Sequence, residues 1–166
     1  MSVIYHIATG ASWAQARRDG EYTMSTLDKT LAQEGFIHCS DASQVAGVAN
    51  AFYQGERDLL LLVIDPERVT SRVQYDLAPD QPAPYPHIYG PLNIEAVTEV
   101  RPFAPGSDGT FRFPETLLSE RAVVPVPGKL RPAGMGDSGQ LRRAGGELVT
   151  GSPRPARLPY IRVTGI

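Results

Sequence analysis

Three histidines are the residues of this sequence best suited to chemistry, and the chain contains no others. His6 and His38 each fall in a short apolar segment, and His87 follows a proline-rich loop. An imidazole exchanges protons near neutral pH and, when charged, donates hydrogen bonds from both nitrogens. We therefore expect acid–base chemistry or phosphate binding where these side chains meet. We predict that all three line a common cleft.

The segment around His38 joins an apolar strand to a helix start. Successive side chains of an extended segment point to opposite faces, so His38 and Ser40 should share one face while Cys39 lies on the other. Asp41 is expected to cap the next helix, with Gln44 in the capping-box position. The free N–H groups of a helix start, beside a histidine and a hydroxyl, predict a seat for a phosphate or carboxylate. Ser40 and Asp41 are therefore candidate ligand-binding residues.

Other uses of these residues fit the sequence less well. Zinc could use three histidines, but their spacing is long and lacks a compact H-x-x-x-H or C-x-x-C pattern, so no metal is expected. His38 must point away from its neighbour Cys39, which predicts that Cys39 is a core residue and not an activated thiol. Both glycine-rich phosphate motifs, G-x-G-x-x-G and the Walker form, are absent. A hydrogen-bonded structural role remains the simpler alternative for each histidine.

Charge and composition divide the chain into two parts. Residues 1–118 carry 8 Lys/Arg and 15 Asp/Glu, whereas residues 119–166 carry 8 and 3. The second part also holds 6 Pro and 8 Gly in 48 residues, with one aromatic residue and no sustained periodicity. Such a segment buries too little apolar surface to offset its ordering entropy. We predict a globular domain over 1–118 and a disordered basic tail over 119–166, in which the sparse Arg residues give only a weak nucleic-acid signal.

A single cysteine excludes an intramolecular disulfide, and the N-terminus lacks the pattern of a signal peptide. The longest apolar run, residues 59–64, is much shorter than a membrane span. We therefore expect a cytoplasmic protein with no membrane partner.

The elements that must position the histidines are short and mixed. Strands are predicted near residues 3–8, 21–23, 59–64, 73–75 and 96–103, and a last strand at 110–113 should close a terminal hairpin. Helices are predicted after Ser12, at 26–34 and after Asp41, the last with a buried stripe of Val45, Val48, Ala49 and Phe52. Strands and helices do not alternate regularly, so an α+β domain is favoured over a doubly wound sheet.

Several of these segments together resemble the DUF952 family of small, mostly bacterial proteins of unassigned function. The resemblance covers about residues 3–114 and is carried by five stretches: Ile4–Ala8, Glu34–Ser40, Val48–Gly55, Asp58–Asp65 and Tyr85–Leu92. It implies a fold similar to that of the ADP-ribosyltransferases, a split α+β sheet arrangement whose enzymes bind NAD in a cleft.

The resemblance also implies roles for particular residues. In the transferases, a residue of the first strand holds a ribose of NAD, and His6 matches it. Tyr22, or His38 with Ser40, could pack on the nicotinamide, and His87 or Tyr89 could steer the acceptor. No glutamate matches the steering position, and a histidine-based set is closer to the RNA 2′-phosphotransferases of that fold.

The leading hypothesis is an enzyme that binds NAD or a related nucleotide, with His38, His87 and Tyr89 as catalytic candidates and His6, Tyr22, Ser40 and Asp41 as ligand-binding candidates. The alternative is a non-catalytic module that binds a nucleotide or phosphorylated small molecule. A third hypothesis is an interaction protein that works through its basic tail.

Overall fold

The computed structural model describes residues 2–119. The tail predicted for 119–166 therefore lies, apart from its first residue, outside the described residues. Within the described part, four helices and eight strands form a mixed α+β domain, as predicted. The strands are β1 (Ile4–Thr9), β2 (Glu21–Tyr22), β3 (Ile37–His38), β4 (Leu59–Ile64), β5 (Arg72–Asp76), β6 (Tyr85–Tyr89), β7 (Leu92–Asn93) and β8 (Val97–Pro102). The helices are α1 (Gly10–Asp19), α2 (Leu31–Glu34), α3 (Ala42–Phe52) and α4 (Glu115–Ser119).

The largest block of paired strands is the antiparallel sheet β1–β4–β8, with β4 in the centre as its continuous apolar sequence predicts. Both faces of this sheet are covered. Tyr5 and Ile7 point into a core shared with Val45 and Ala49 of α3. Ile4 and its same-face neighbours on β1 and β4 point into a second core, shared with residues of β3 and β6.

A second antiparallel sheet, β3–β6–β5, carries the candidate site. Ile37 of β3 pairs with Ile88 of β6, which pairs with Val73 of β5, and these three side chains face the core. The chain continues from β3 to a backbone bridge between Ser40 and Tyr5, which joins the two sheets through two hydrogen bonds of 2.8 Å. Because the pleat alternates, the residues between the core positions point to the opposite face of this sheet.

Two helix starts differ from the sequence prediction. α1 begins after Thr9 and not after Ser12, because the Thr9 hydroxyl accepts a hydrogen bond from the Ser12 amide at 3.1 Å. The helix predicted at 26–34 is confined to the single turn of α2, which Thr30 caps. Gly20 ends α1 in the left-handed conformation, with φ 87°.

Helix α3 begins after Asp41 as predicted, and the Gln44 side chain accepts a hydrogen bond from the Asp41 amide at 2.8 Å. Val45 and Ala49 are buried, but the prediction that Phe52 is buried is wrong, since 74% of its surface is exposed. The helix ends at Phe52, and the buried aromatic residue is the next one, Tyr53.

The predicted strand at 110–113 and its hairpin are also wrong. The Phe111 amide donates to the Asn50 side-chain oxygen at 2.8 Å, and the Asn50 amide group donates back to the Phe111 carbonyl at 2.9 Å. A side chain of α3 thus takes the backbone hydrogen bonds that a neighbouring strand would have used. Phe111 is buried against Phe103 at the end of β8.

In the part of the chain that the structure describes, no helix is long and apolar enough to cross a membrane.

Candidate functional site

Strand pairing places two of the three histidines side by side. His38 of β3 lies directly opposite His87 of β6, and their ring centroids are 5.1 Å apart at an interplanar angle of 84°. Side chains at directly opposite positions of an antiparallel pair share one face of the sheet. Two residues 49 positions apart in sequence are therefore brought to one place by the β3–β6 register.

Phe36 is the aromatic centre of this group. Its ring centroid lies 4.3 Å from that of His87, 4.8 Å from that of His38 and 5.4 Å from that of Tyr89. The Phe36 carbonyl is fixed by the buried hydroxyl of Ser25. Phe36 itself is half-buried, so part of an aromatic surface remains open beside two imidazoles.

The Asp76 carboxylate holds His87 in position. Nδ1 of His87 donates to Oδ2 of Asp76 at 2.8 Å, and the hydroxyl of Tyr89 donates to the same oxygen at 2.7 Å. Gln74 donates to the other oxygen. Partial burial alone would raise the pKa of Asp76, but the hydrogen bonds from His87, Tyr89 and Gln74 lower it below its usual value. Asp76 is therefore an anion that fixes both the ring orientation and the tautomer of His87.

The second ring nitrogen of His87, Nε2, keeps some contact with solvent, although only 6% of the residue is exposed. In residues 2–119, every buried side-chain nitrogen or oxygen has a hydrogen-bond partner. His87 makes its hydrogen bond to Asp76 through Nδ1, and no described residue bonds Nε2. Nε2 therefore cannot be fully buried and must reach solvent. A histidine held at one nitrogen and accessible at the other can exchange a proton or bind an anion.

His38 is more open than His87, with 44% of its side chain exposed. Partial burial lowers the pKa of His38, the neighbouring His87 lowers it further, and Glu34 opposes both effects. Nε2 of His38 lies 3.9 Å from a Glu34 oxygen, and Glu34 is also paired with Lys29 at 3.2 Å. His38 is therefore neutral at pH 7, so one of its ring nitrogens has a lone pair that can accept a hydrogen bond.

His6 lies in the core, with 2% of its surface exposed. Its Nδ1 donates to the His38 carbonyl at 2.6 Å, and its Nε2 accepts from the Tyr22 hydroxyl at 2.9 Å. A carbonyl only accepts, so the proton of the neutral ring is on Nδ1. Burial lowers the pKa of His6 to about 4. The structure thus brings His38 and His87 together at an accessible face, whereas His6 contacts this site through the His38 backbone.

The remaining predicted ligand-binding residues lie in different surroundings. Tyr22 is 1% exposed, and burial raises the pKa of its hydroxyl. Ser40 is 6% exposed and takes part in the bridge to Tyr5. Asp41 accepts a hydrogen bond from the Tyr75 hydroxyl at 2.9 Å, and Tyr75 alternates with Asp76 along β5. The Asp41 carboxylate therefore bonds a side chain on one face of β5, whereas Asp76 holds His87 on the opposite face. The ligand-binding roles of Tyr22, Ser40 and Asp41 stay predictions.

A shallow depression of about 290 Å³ lies between the start of α3 and the proline loop. Its lining residues are Ser43, Gln44, Gly47, Pro82, Ala83 and Tyr85. The depression contains no histidine of the site.

Sequence reasoning missed Phe36, Glu34 and Asp76. The signal for Asp76 was present, because polar residues alternate with apolar ones along β5 and so define a polar face. Phe36 and Glu34 stand in the segment around His38. The contacts of Phe36 with His87 and Tyr89 depend on pairing with β6, which local sequence does not reveal, whereas the contact of Glu34 with His38 is local. No group of three or more His, Cys, Asp or Glu side chains in residues 2–119 is arranged to hold a metal ion.

The fold and the site define a small α+β protein with a histidine-rich, aromatic-lined face on its second sheet. A family model described as "Protein of unknown function (DUF952)" matches residues 7–100, and the chain belongs to this family. The crystal structure of protein CC0527 from Caulobacter crescentus is similar, with 29% identity and a TM-score of 0.62 over 70% of this chain and 99% of that one. The solution NMR structure of CC0527 gives 28% identity and a TM-score of 0.57, covering 74% and 98%. A search of curated proteins found no match. The expected likeness to ADP-ribosyltransferases stays a prediction.

Proposed function

We propose that the face formed by His38, His87 and Phe36 binds a nucleotide, NAD or a related phosphorylated compound, and transfers a group from it. The observation that carries this proposal is the orientation of His87, whose Nδ1 is held by Asp76 while Nε2 reaches solvent beside His38. A phosphate oxygen can accept a hydrogen bond from Nε2 of the protonated ring, and the Asp76 carboxylate compensates the charge of that ring. The half-buried ring of Phe36 offers a surface on which a base can stack.

The two histidines are suited to complementary roles in transfer. His38, which is neutral at pH 7 and has 44% of its side chain exposed, accepts the proton of an acceptor hydroxyl as the new bond to the transferred phosphoryl group forms. His87 donates its Nε2 proton to the oxygen of the leaving group as the bond from that oxygen to phosphorus breaks. The Tyr89 hydroxyl is committed to Asp76, so Tyr89 acts here by holding that carboxylate.

A second candidate function is binding without turnover. It is favoured by the low exposure of His87, because only 6% of this residue is accessible to a second reactant. The two functions differ in one measurement, because only the enzyme consumes the nucleotide.

The test is a thermal-shift screen of the full chain with nucleotides and phosphorylated metabolites. A ligand at a hundred times its dissociation constant should stabilise the protein by about 2.7 kcal/mol. Any hit is then measured with His87→Gln and Asp76→Asn, which should weaken binding at least tenfold, and with the exposed control Arg17→Gln, which should not. Chromatography of the bound nucleotide over time separates turnover from binding.

Two results contradict the proposal. One is a screen in which no phosphorylated compound stabilises the chain. The other is a ligand whose affinity is the same in the wild type and in His87→Gln, which would place the binding site elsewhere.

A further inference from the structure

Arg72, at the start of β5, carries a positive charge to which the proposed function assigns no role. Its Cζ lies 4.5 Å from the centroid of the Tyr89 ring, which is a cation–π contact. Within residues 2–119, no carboxylate forms an ion pair with Arg72 and no acceptor bonds its guanidinium. The Tyr89 ring therefore orients a guanidinium whose N–H donors have no acceptor in the described part of the chain.

The strand register puts this guanidinium on the same face as the histidines. Arg72 lies opposite Tyr89, and Gln74 lies opposite His87, so the four side chains share one face of the β5–β6 pair. Successive residues on one face of a strand are about 7 Å apart. Arg72 is a diagonal neighbour of His87 on this face, and such neighbours are about 7–8 Å apart. The ring of Tyr89 contacts both residues, since its centroid is 6.4 Å from that of His87 and 4.5 Å from Cζ of Arg72.

The other charges of this face are already matched. Lys29 pairs with Glu34, and the Asp76 carboxylate accepts hydrogen bonds from His87, Tyr89 and Gln74. An anion that approaches the Tyr89 ring therefore meets the guanidinium of Arg72 without having to displace a protein carboxylate from it. A guanidinium with free N–H groups forms two parallel hydrogen bonds to a phosphate.

We infer that Arg72 is a specificity-determining residue that binds a second phosphate, so that the ligand of this site carries a diphosphate. The inference rests on the proposed function, in which His87 binds the first phosphate. One isolated phosphate can occupy the position at His87 or the position at Arg72, because the two side chains start about 7–8 Å apart as diagonal neighbours. Two linked phosphates span that separation and gain the charge-assisted hydrogen bonds of both residues.

The test compares ADP with AMP, measured by isothermal titration calorimetry on the full chain without divalent metal ions. The wild type should bind ADP at least tenfold more tightly than AMP, since the second phosphate gains charge-assisted hydrogen bonds from Arg72. Arg72→Gln should reduce this ratio to within about twofold of one while leaving AMP affinity nearly unchanged. Arg68→Gln removes the same charge from an exposed turn outside this face and should keep the wild-type ratio.

The outcomes distinguish this inference from the proposed function. Binding of AMP with no preference for ADP overturns the role of Arg72 and leaves the proposed function standing. An equal loss of the ratio in Arg68→Gln means that net charge and not position is responsible, which also overturns it. If neither nucleotide binds, both the inference and its basis fail. A loss of AMP and ADP affinity together in Arg72→Gln would show that the guanidinium binds the first phosphate or the base, and would again overturn the assignment.

Discussion

Replacing His6 by leucine should destabilise the domain strongly, although a leucine suits an apolar core. His6 donates to the His38 carbonyl and accepts from the Tyr22 hydroxyl, and both His6 and Tyr22 are almost completely buried. His6→Leu therefore leaves the His38 carbonyl without this donor and leaves the Tyr22 hydroxyl with only a 3.4 Å contact to Ser12. Leaving a buried polar group unsatisfied costs about 1–3 kcal/mol, so we expect a loss of about 3 kcal/mol in the free energy of unfolding.

The matched change Tyr22→Phe removes one hydroxyl and leaves Nε2 of His6 unpaired, which should cost about 1.5 kcal/mol. The double variant lacks both members of that hydrogen bond, so only the His38 carbonyl loses its partner. We expect the double variant to lose about 2 kcal/mol, which is less than the sum of the two single changes by more than 2 kcal/mol. This non-additivity is the signature of a buried hydrogen-bonded pair.

The measurement is urea unfolding at pH 7, followed by the tryptophan and far-ultraviolet signals. With a slope of about 2 kcal/mol per molar urea, His6→Leu should lower the midpoint by roughly 1.5 M. Tyr85→Phe is the control, because its hydroxyl makes only a 3.4 Å contact to Gln81 at an exposed position, and its midpoint should stay close to that of the wild type. Costs that add to within about 0.5 kcal/mol would refute the reasoning, since they would mean that His6 and Tyr22 act independently.

Three further predictions concern the protonation of His6, the backbone at two glycines and the burial of Cys39. The pKa of His6 is about 4 in the folded chain, below its usual value of 6.5, so the unfolded chain binds the extra proton between these values. The contribution of His6 to stability should therefore fall by at most about 3 kcal/mol as the pH drops from 6.5 to 4. Urea titrations at several pH values should show a shallower fall in His6→Leu, and an identical fall would contradict the assignment. Gly90→Ala should lower the free energy of unfolding by about 2 kcal/mol, because φ of Gly90 is 151° and the new Cβ would stand 2.5 Å from the Ser71 hydroxyl oxygen. Gly47→Ala, on the open face of α3, should leave that free energy unchanged or raise it by up to about 1 kcal/mol. Cys39 should resist a thiol reagent in the native state and react on unfolding, since it is 3% exposed and burial raises the pKa of its thiol; rapid reaction of the folded chain would show that the side chain is accessible.

Much of the fold follows from local pattern. The apolar run of β4 and the capping residues of α3 each identify their element without tertiary information, and Cys39 is buried as strand alternation predicts. The errors occur where a distant side chain replaces a local interaction. Asn50 binds the backbone of Phe111 and so substitutes for a strand partner, which no pattern within residues 110–113 could indicate.

The site was predictable in its residue types but not in its connections. His38 and His87 were recognisable as candidates, yet their contact depends on the β3–β6 register, which is a long-range pairing. His6 has the same sequence setting as His38, an apolar strand, but it faces the space between the two sheets and is buried there. Strand alternation assigns a side chain to a face and does not say whether another layer covers that face.

The cross-strand pair of His38 and His87 has a consequence for dynamics. β3 is a two-residue edge strand, whereas β6 is the centre of its sheet. Short edge elements are the first to open in local unfolding, and amide hydrogen exchange detects that opening. A ligand that binds both imidazoles would fasten the edge strand to the central one and slow exchange at the Cys39 amide, which donates to the Pro86 carbonyl. Occupancy of the site would then be readable from backbone protection, before any product is identified.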